Sequence, residues 1–246
     1  ELETAMKRAP RKDHRTVLVH FGFAQPDQVK RWIELGGVVS SNPYYVTALA
    51  GPYEKIGLGA DRAKNIAPHK YVLDHKGSLS FHSDMPMAPA KPLQLVWAGV
   101  NRLTYEGKVA GPEHKVPLET ALKAITIDAA YSIQLEKEIG SIEVGKRANL
   151  TVLEKDPNKV DASEIKDIPI WGTMLEGRVQ PVKAAADKKS ERKPKGTPEP
   201  RASADSVVAP RSWNTRAKPA ACPPGCSCSI GQLFSHHLAV QLGTGK

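Results

Sequence analysis

Three short strand-like runs, each followed by a helix-forming stretch, constrain this chain more than any other feature. Thr16 to His20 (TVLVH), apolar and β-branched, reads as a buried strand, and Val38 to Asn42 (VVSSN) and Leu79 to Asp84 (LSFHSD) read as a second and a third strand. Pro26 opens a helix that runs to Leu35, because proline is harmless in the first turn, and Gly36-Gly37 end it. Pro43 closes the second strand. A weakly patterned stretch with Gly51-Pro52 and Gly57 follows, then a helix over Pro68 to His75 that Gly77 ends. Pro86, Pro89 and Pro92 stiffen the next loop, and two amphipathic helices are expected over Leu93 to Leu103 and Leu118 to Ile133. Strands alternating with helices make an α/β pattern, either a parallel sheet or a barrel. None of these helices opens on a G-x-G-x-x-G or a phosphate loop, which leaves a nucleotide fold without support.

The pattern changes after Ile139. Short strands with turn residues, Ala148 to Leu153 and Ile168 to Val179 with Gly177 at the turn, predict a small β unit. Residues 1–139 therefore read as one α/β region and 140–183 as a small β domain. Residues 184–221, rich in Lys, Arg, Pro, Ala and Ser, read as a disordered linker, and 222–246 as a Cys-containing tail with a short helix.

The charge follows the same division. The net charge is +9, of which residues 184–246 carry +6. The α/β region is nearly balanced, so no nucleic-acid partner is expected, and the basic linker reads as solvated chain. No stretch approaches the roughly 18 apolar residues of a membrane span. The body lacks cysteine, which points to the cytoplasm. The chain starts at Glu1 without a signal-like segment, so either its N-terminus was processed or it is the back portion of something longer.

His20 closes the first run and Asp84 the third. In a parallel barrel the strand ends share one rim, where a His and an Asp can converge on one metal ion or one water. Taken alone, the two are also ordinary strand-end and turn residues. The side-chain period of two places His82 on the face of Asp84. Tyr44 and Tyr45 follow the second strand, and Trp97 and Arg102 lie on the helix after Asp84. Of these, Tyr44 and Tyr45 are candidates for substrate contact or for packing under the mouth, Arg102 is a candidate for lining it, and Trp97 has the spacing of a core residue. In the tail, Cys222, Cys226 and Cys228 with His236 form a second constellation that could hold zinc, against the alternative of a reduced, flexible end.

Four segments, in this order, carry a resemblance: SFHSDMPMAPAKPL, ALKAITIDAAYSI, GSIEVGKRANLTVLEKDP and IPIWGTMLEGRV. Together they resemble the C-terminal part of the metal-dependent amidohydrolase superfamily, in the branch of amide and formamide hydrolases. Ser83-Asp84-Met85-Pro86 resembles that family's motif at the end of the eighth barrel strand, and His20 resembles the histidine ending its sixth. The resemblance implies the last three βα units of a TIM barrel and a small β-sandwich unit. It also implies one or two divalent metals, most often Zn2+ in that family. Asp84 would ligate metal and move a proton, and His20 would ligate metal or stabilise the oxyanion. His82 would contact substrate or orient Asp84.

The family's H-x-H on the first strand has no counterpart here. His20 and Asp84 give two protein ligands, whereas a catalytic zinc normally takes three. The expected activity is hydrolysis of a small-molecule amide, cyclic amide or N-acyl substrate through a metal-activated water. The alternatives are a deaminase of the same superfamily, or a silent fragment or subunit. Expected partners are a second copy of the chain or a complementing N-terminal barrel half.

Overall fold

The second and third runs are buried in the sheet, whereas the first, expected to be buried, is half-buried at Val17 and Leu18 and exposed at Val19 and His20 because it is an outer strand of this sheet. In the computed structural model, which describes residues 1–182, the three runs form β1 (Val17–His20), β2 (Val38–Ser41) and β3 (Leu79–Phe81). All three are parallel, in the order β1-β2-β3. His20 pairs with Ser41 in register, and Ser41 with Phe81, so the three C-terminal ends share one edge.

Helix α1 (Leu2–Arg8) precedes the sheet. Helix α2 (Pro26–Glu34) has proline in its first turn and a capping box in which Gln25 and Gln28 satisfy each other's orphan amides. Two helices the sequence pattern did not announce fill the weakly patterned stretch, α3 (Tyr44–Lys55) and α4 (Ala60–Ala63). Gly51-Pro52 read as a breaker, but it lies in the last turns of α3. That helix buries Tyr44, Val46, Thr47, Ala50 and Gly51, so the polar face that gives an amphipathic signal is narrow.

Helices α5 (His69–Asp74) and α6 (Pro92–Asn101) flank β3 in sequence. The long helix expected over 118–133 is two, α7 (Leu118–Ala124) and α8 (Ile127–Ser132). The break falls at Thr126, whose Oγ1 donates to the Leu122 carbonyl and whose backbone leaves helical geometry.

An antiparallel sheet follows, β4 (Leu150–Leu153), β5 (Ile170–Leu175) and β6 (Arg178–Pro181). Glu176 and Gly177 supply the two left-handed residues of the β5–β6 turn.

One cluster joins the layers: Val29, Val39, Val72, Leu79, Phe81, Val96 and Trp97, with Ile165 and Ile168 from the chain before β5. Each fully buried Val or Ile contributes roughly 1.5–3 kcal/mol. No helix among the described residues is long and apolar enough to cross a membrane.

Candidate active site

The third strand is shorter than its sequence implies, and this reshapes the site. β3 ends at Phe81, and Asp84 adopts a left-handed φ of 53°. Strand alternation therefore does not govern Asp84, and the expectation that His82 and Asp84 share a strand face is corrected. A turn carries the aspartate instead, closed by the Met87 amide donating to the Asp84 carbonyl at 2.7 Å. Asn42, fully buried at the end of β2, donates through Nδ2 to the Ser83 carbonyl at 3.1 Å. Its Oδ1 accepts the Tyr44 amide at 3.0 Å, so one side chain fixes both the start of α3 and the loop bearing Asp84.

His20 bends out of β1 with φ 72°, followed by Phe21 at φ 49°. Two consecutive non-glycine residues in the left-handed region are unfavourable and persist only where their surroundings impose them. The bend brings His20 Nε2 to 3.4 Å from Asp84 Oδ2. Both side chains remain open to solvent, at 52% and 43%. The pair can therefore meet a ligand without rearrangement.

His82 stands beside this pair, its ring centroid 5.4 Å from that of His20. Its Nδ1 is hydrogen-bonded to Ser40 Oγ at 3.0 Å, and its Nε2 is buried without a partner among the described residues. Burial, reinforced by the neighbouring His20, pushes its pKa down, and Asp84 opposes the shift. The hydrogen bond goes to Ser40 rather than to Asp84.

Two other candidates have other partners. Tyr44 is buried and its hydroxyl is hydrogen-bonded to that of Tyr105, not to His20 or Asp84. Its neighbour Tyr45 is the tyrosine at the site, 6.3 Å from the His20 ring, with its hydroxyl pKa raised by burial and by the Asp84 charge. Consecutive helical residues point about 100° apart, so only one of the two can face the rim. Arg102 does not line a mouth. It is fully buried, and its guanidinium donates to the carbonyls of Ala110, Ala67 and Ile66. Trp97 is core.

His20 and Asp84 fit a divalent metal by donor chemistry, one imidazole and one carboxylate at sharing distance. Among the described residues no group of three or more His, Cys, Asp or Glu side chains is placed to hold an ion. Cys222, Cys226, Cys228 and His236 lie outside the described residues.

A family model described as an amidohydrolase family matches residues 1–180. The chain is 29% identical over 173 residues to the N-substituted formamide deformylase of Arthrobacter pascens, covering 70% of this chain and 32% of that protein. It thus spans about a third of the length of this relative. Among solved structures, a metal-dependent hydrolase of Pyrococcus horikoshii OT3 matches with TM-score 0.53 and 24% identity, over 65% of this chain and 33% of that one. A zinc-bound adenosine deaminase from Xanthomonas campestris matches with TM-score 0.53 and 18% identity, over 73% and 40%. At these identities the two structures speak for a shared mixed α/β fold.

Proposed function

The chain belongs to the amidohydrolase family, and from that premise we propose that it is the rim-bearing part of a metal-dependent hydrolase. The bonds cleaved are carbon–nitrogen bonds outside ordinary peptides, in an amide, cyclic amide or N-acyl substrate. In this reading β1, β2 and β3 are the last three strands of a TIM barrel, and residues 140–183 form its appended β unit. The observation that carries the proposal is the 3.4 Å approach of His20 to Asp84 at the common edge of three parallel strands. The likeness to a formamide deformylase supports the choice of bond.

His20 and Asp84 would hold a divalent ion, for which zinc suits the imidazole–carboxylate pair. When bound, such an ion supplies Lewis acidity and a water whose pKa falls from about 15.7 towards 7. The chain's own residues do the rest. The exposed carboxylate of Asp84 accepts a proton from an attacking water and returns it to the departing nitrogen, as a base and then an acid. A His20 nitrogen left free of metal would donate to the developing oxyanion. His82, held by Ser40, packs against the His20 ring and limits its rotation. Tyr45 walls the same edge.

Remaining ligands come from a second polypeptide or another part of the same protein. The cytoplasm is the expected compartment. The test is hydrolysis of N-substituted formamides and N-acyl amines by the chain, alone and with a polypeptide supplying an H-x-H pair, in the presence of zinc. Asp84→Asn should lower turnover by about a hundred- to ten-thousand-fold. Hydrolysis undiminished by that change would refute the assignment.

A further inference from the structure

Arg102 is among the largest fully buried side chains of the described residues, and hydrolysis as described above does not use it. No carboxylate lies within ion-pair distance of it among those residues. Burying an unpaired guanidinium is strongly unfavourable unless its donors are satisfied. Here four backbone carbonyls satisfy it: Nε donates to Ala110 at 2.7 Å, Nη1 to Ala67 at 2.9 Å, and Nη2 to Ile66 at 2.7 Å and Lys64 at 3.4 Å. Lysine could not do this, because its three N–H donors sit on one nitrogen, whereas these four acceptors are spread along the edge of a planar fork.

The segment held in this way leads directly to the site. Ala67 is fully buried with φ 46°, a conformation its side chain disfavours, and its amide donates to the Gly22 carbonyl at 2.7 Å. Gly22 directly follows the two left-handed residues, His20 and Phe21, that bend the chain out of β1. A second path reaches the same bend. The Ala67 carbonyl also accepts the His69 amide at 2.8 Å, and His69 Nε2 is hydrogen-bonded to Ser41 Oγ at 2.9 Å. Ser41 is the register partner of His20 across the strands.

We propose that Arg102 is a positioning residue for His20, fixing Ala67, which fixes Gly22 and so holds the His20 imidazole towards Asp84. The functional meaning rests on the reading of His20 and Asp84 given above. The geometric claim does not, and its test reads the place of His20 rather than hydrolysis.

The experiment compares the full chain with its Arg102→Lys variant by NMR. In the variant the Ala67 amide should exchange at least tenfold faster, and the His20 ring Cε1–Hε1 signal should move towards that of the exposed His75. The Val39 amide, bonded to the Ser78 carbonyl in the sheet, should keep its rate. Adding Ala67→Gly should return the His20 signal towards its original position, because glycine adopts positive φ without strain.

If Arg102→Lys does not fold, an ester in place of the Ile66–Ala67 amide removes the N–H that Gly22 accepts and weakens the Ile66 carbonyl that Arg102 donates to, two links of the same chain, and must shift the His20 signal alike. A His20 signal unmoved in the folded variant or in the ester overturns the proposal. So does equal acceleration at Ala67 and Val39 with no rescue by glycine. A fixed His20 with no hydrolysis would count against the reading of function and leave this one standing.

Discussion

Asn42 and Ser83 are joined by a 3.1 Å hydrogen bond from the side-chain amide to the backbone carbonyl, tying the end of the second strand to the turn that bears Asp84. Asn42 is fully buried, so truncation leaves partners unsatisfied. Asn42→Ala should lower unfolding stability by about 1–3 kcal/mol, measured by urea titration. It should also speed exchange of the Met87 amide, which closes the Asp84 turn. A variant as stable as the parent would show that the bond does not hold the turn.

The two adjacent tyrosines should separate cleanly. Tyr44→Phe removes the hydroxyl bonded to Tyr105 and should cost roughly 0.5–1.5 kcal/mol while leaving the His20 ring signal in place. Tyr45→Ala removes a ring 6.3 Å from that imidazole and should shift the signal with less effect on stability. The opposite pattern would return the site to Tyr44.

Acid should weaken the fold through two buried histidines. Burial, and then the nearby Arg102 charge, hold His69 well below the usual imidazole value of 6.5 and lower His114 to about 4. Each Nδ1 lacks a partner among the described residues, which favours the neutral ring. The unfolded chain therefore takes up these protons first as pH falls. Their contribution is complete above pH 6.5 and declines towards pH 4. The urea midpoint should be lower at pH 5 than at pH 7, and His114→Gln should flatten that slope. A midpoint equal at both values would contradict this account.

The strands were legible because TVLVH is an apolar, β-branched run and VVSSN is fenced by Gly36-Gly37 and Pro43, although only the second of the two is buried. His20 was legible as a strand-end residue, whereas Asp84, read as closing the third strand, lies in a turn beyond its end at Phe81. What joins the two was not legible. The left-handed bends at His20, Phe21 and Asp84 involve residues whose local preference is otherwise, so only tertiary contacts reveal them. His69 and Arg102 carry polar side chains yet are fully buried, and sequence pattern gives no sign of a buried arginine satisfied by carbonyls. Helix α3 was hidden by Gly51-Pro52 and by burial around most of its girth.

Replacing Ser40 by alanine offers a narrower check on His82. The change leaves Nδ1 of His82 without the partner it has at 3.0 Å. The imidazole should then become mobile, with broadened ring signals and a stability loss of about 1 kcal/mol. An unaltered His82 signal would show that packing against His20, not Ser40, holds it.

The most direct measurement is calorimetric titration of zinc into the full chain and into its His20→Ala and Asp84→Asn variants. Binding to the parent should weaken at least tenfold in each single variant and no further when both are combined, because the two side chains serve one ion. Binding that survives both changes, or two losses that simply add as independent sites do, would show that they do not.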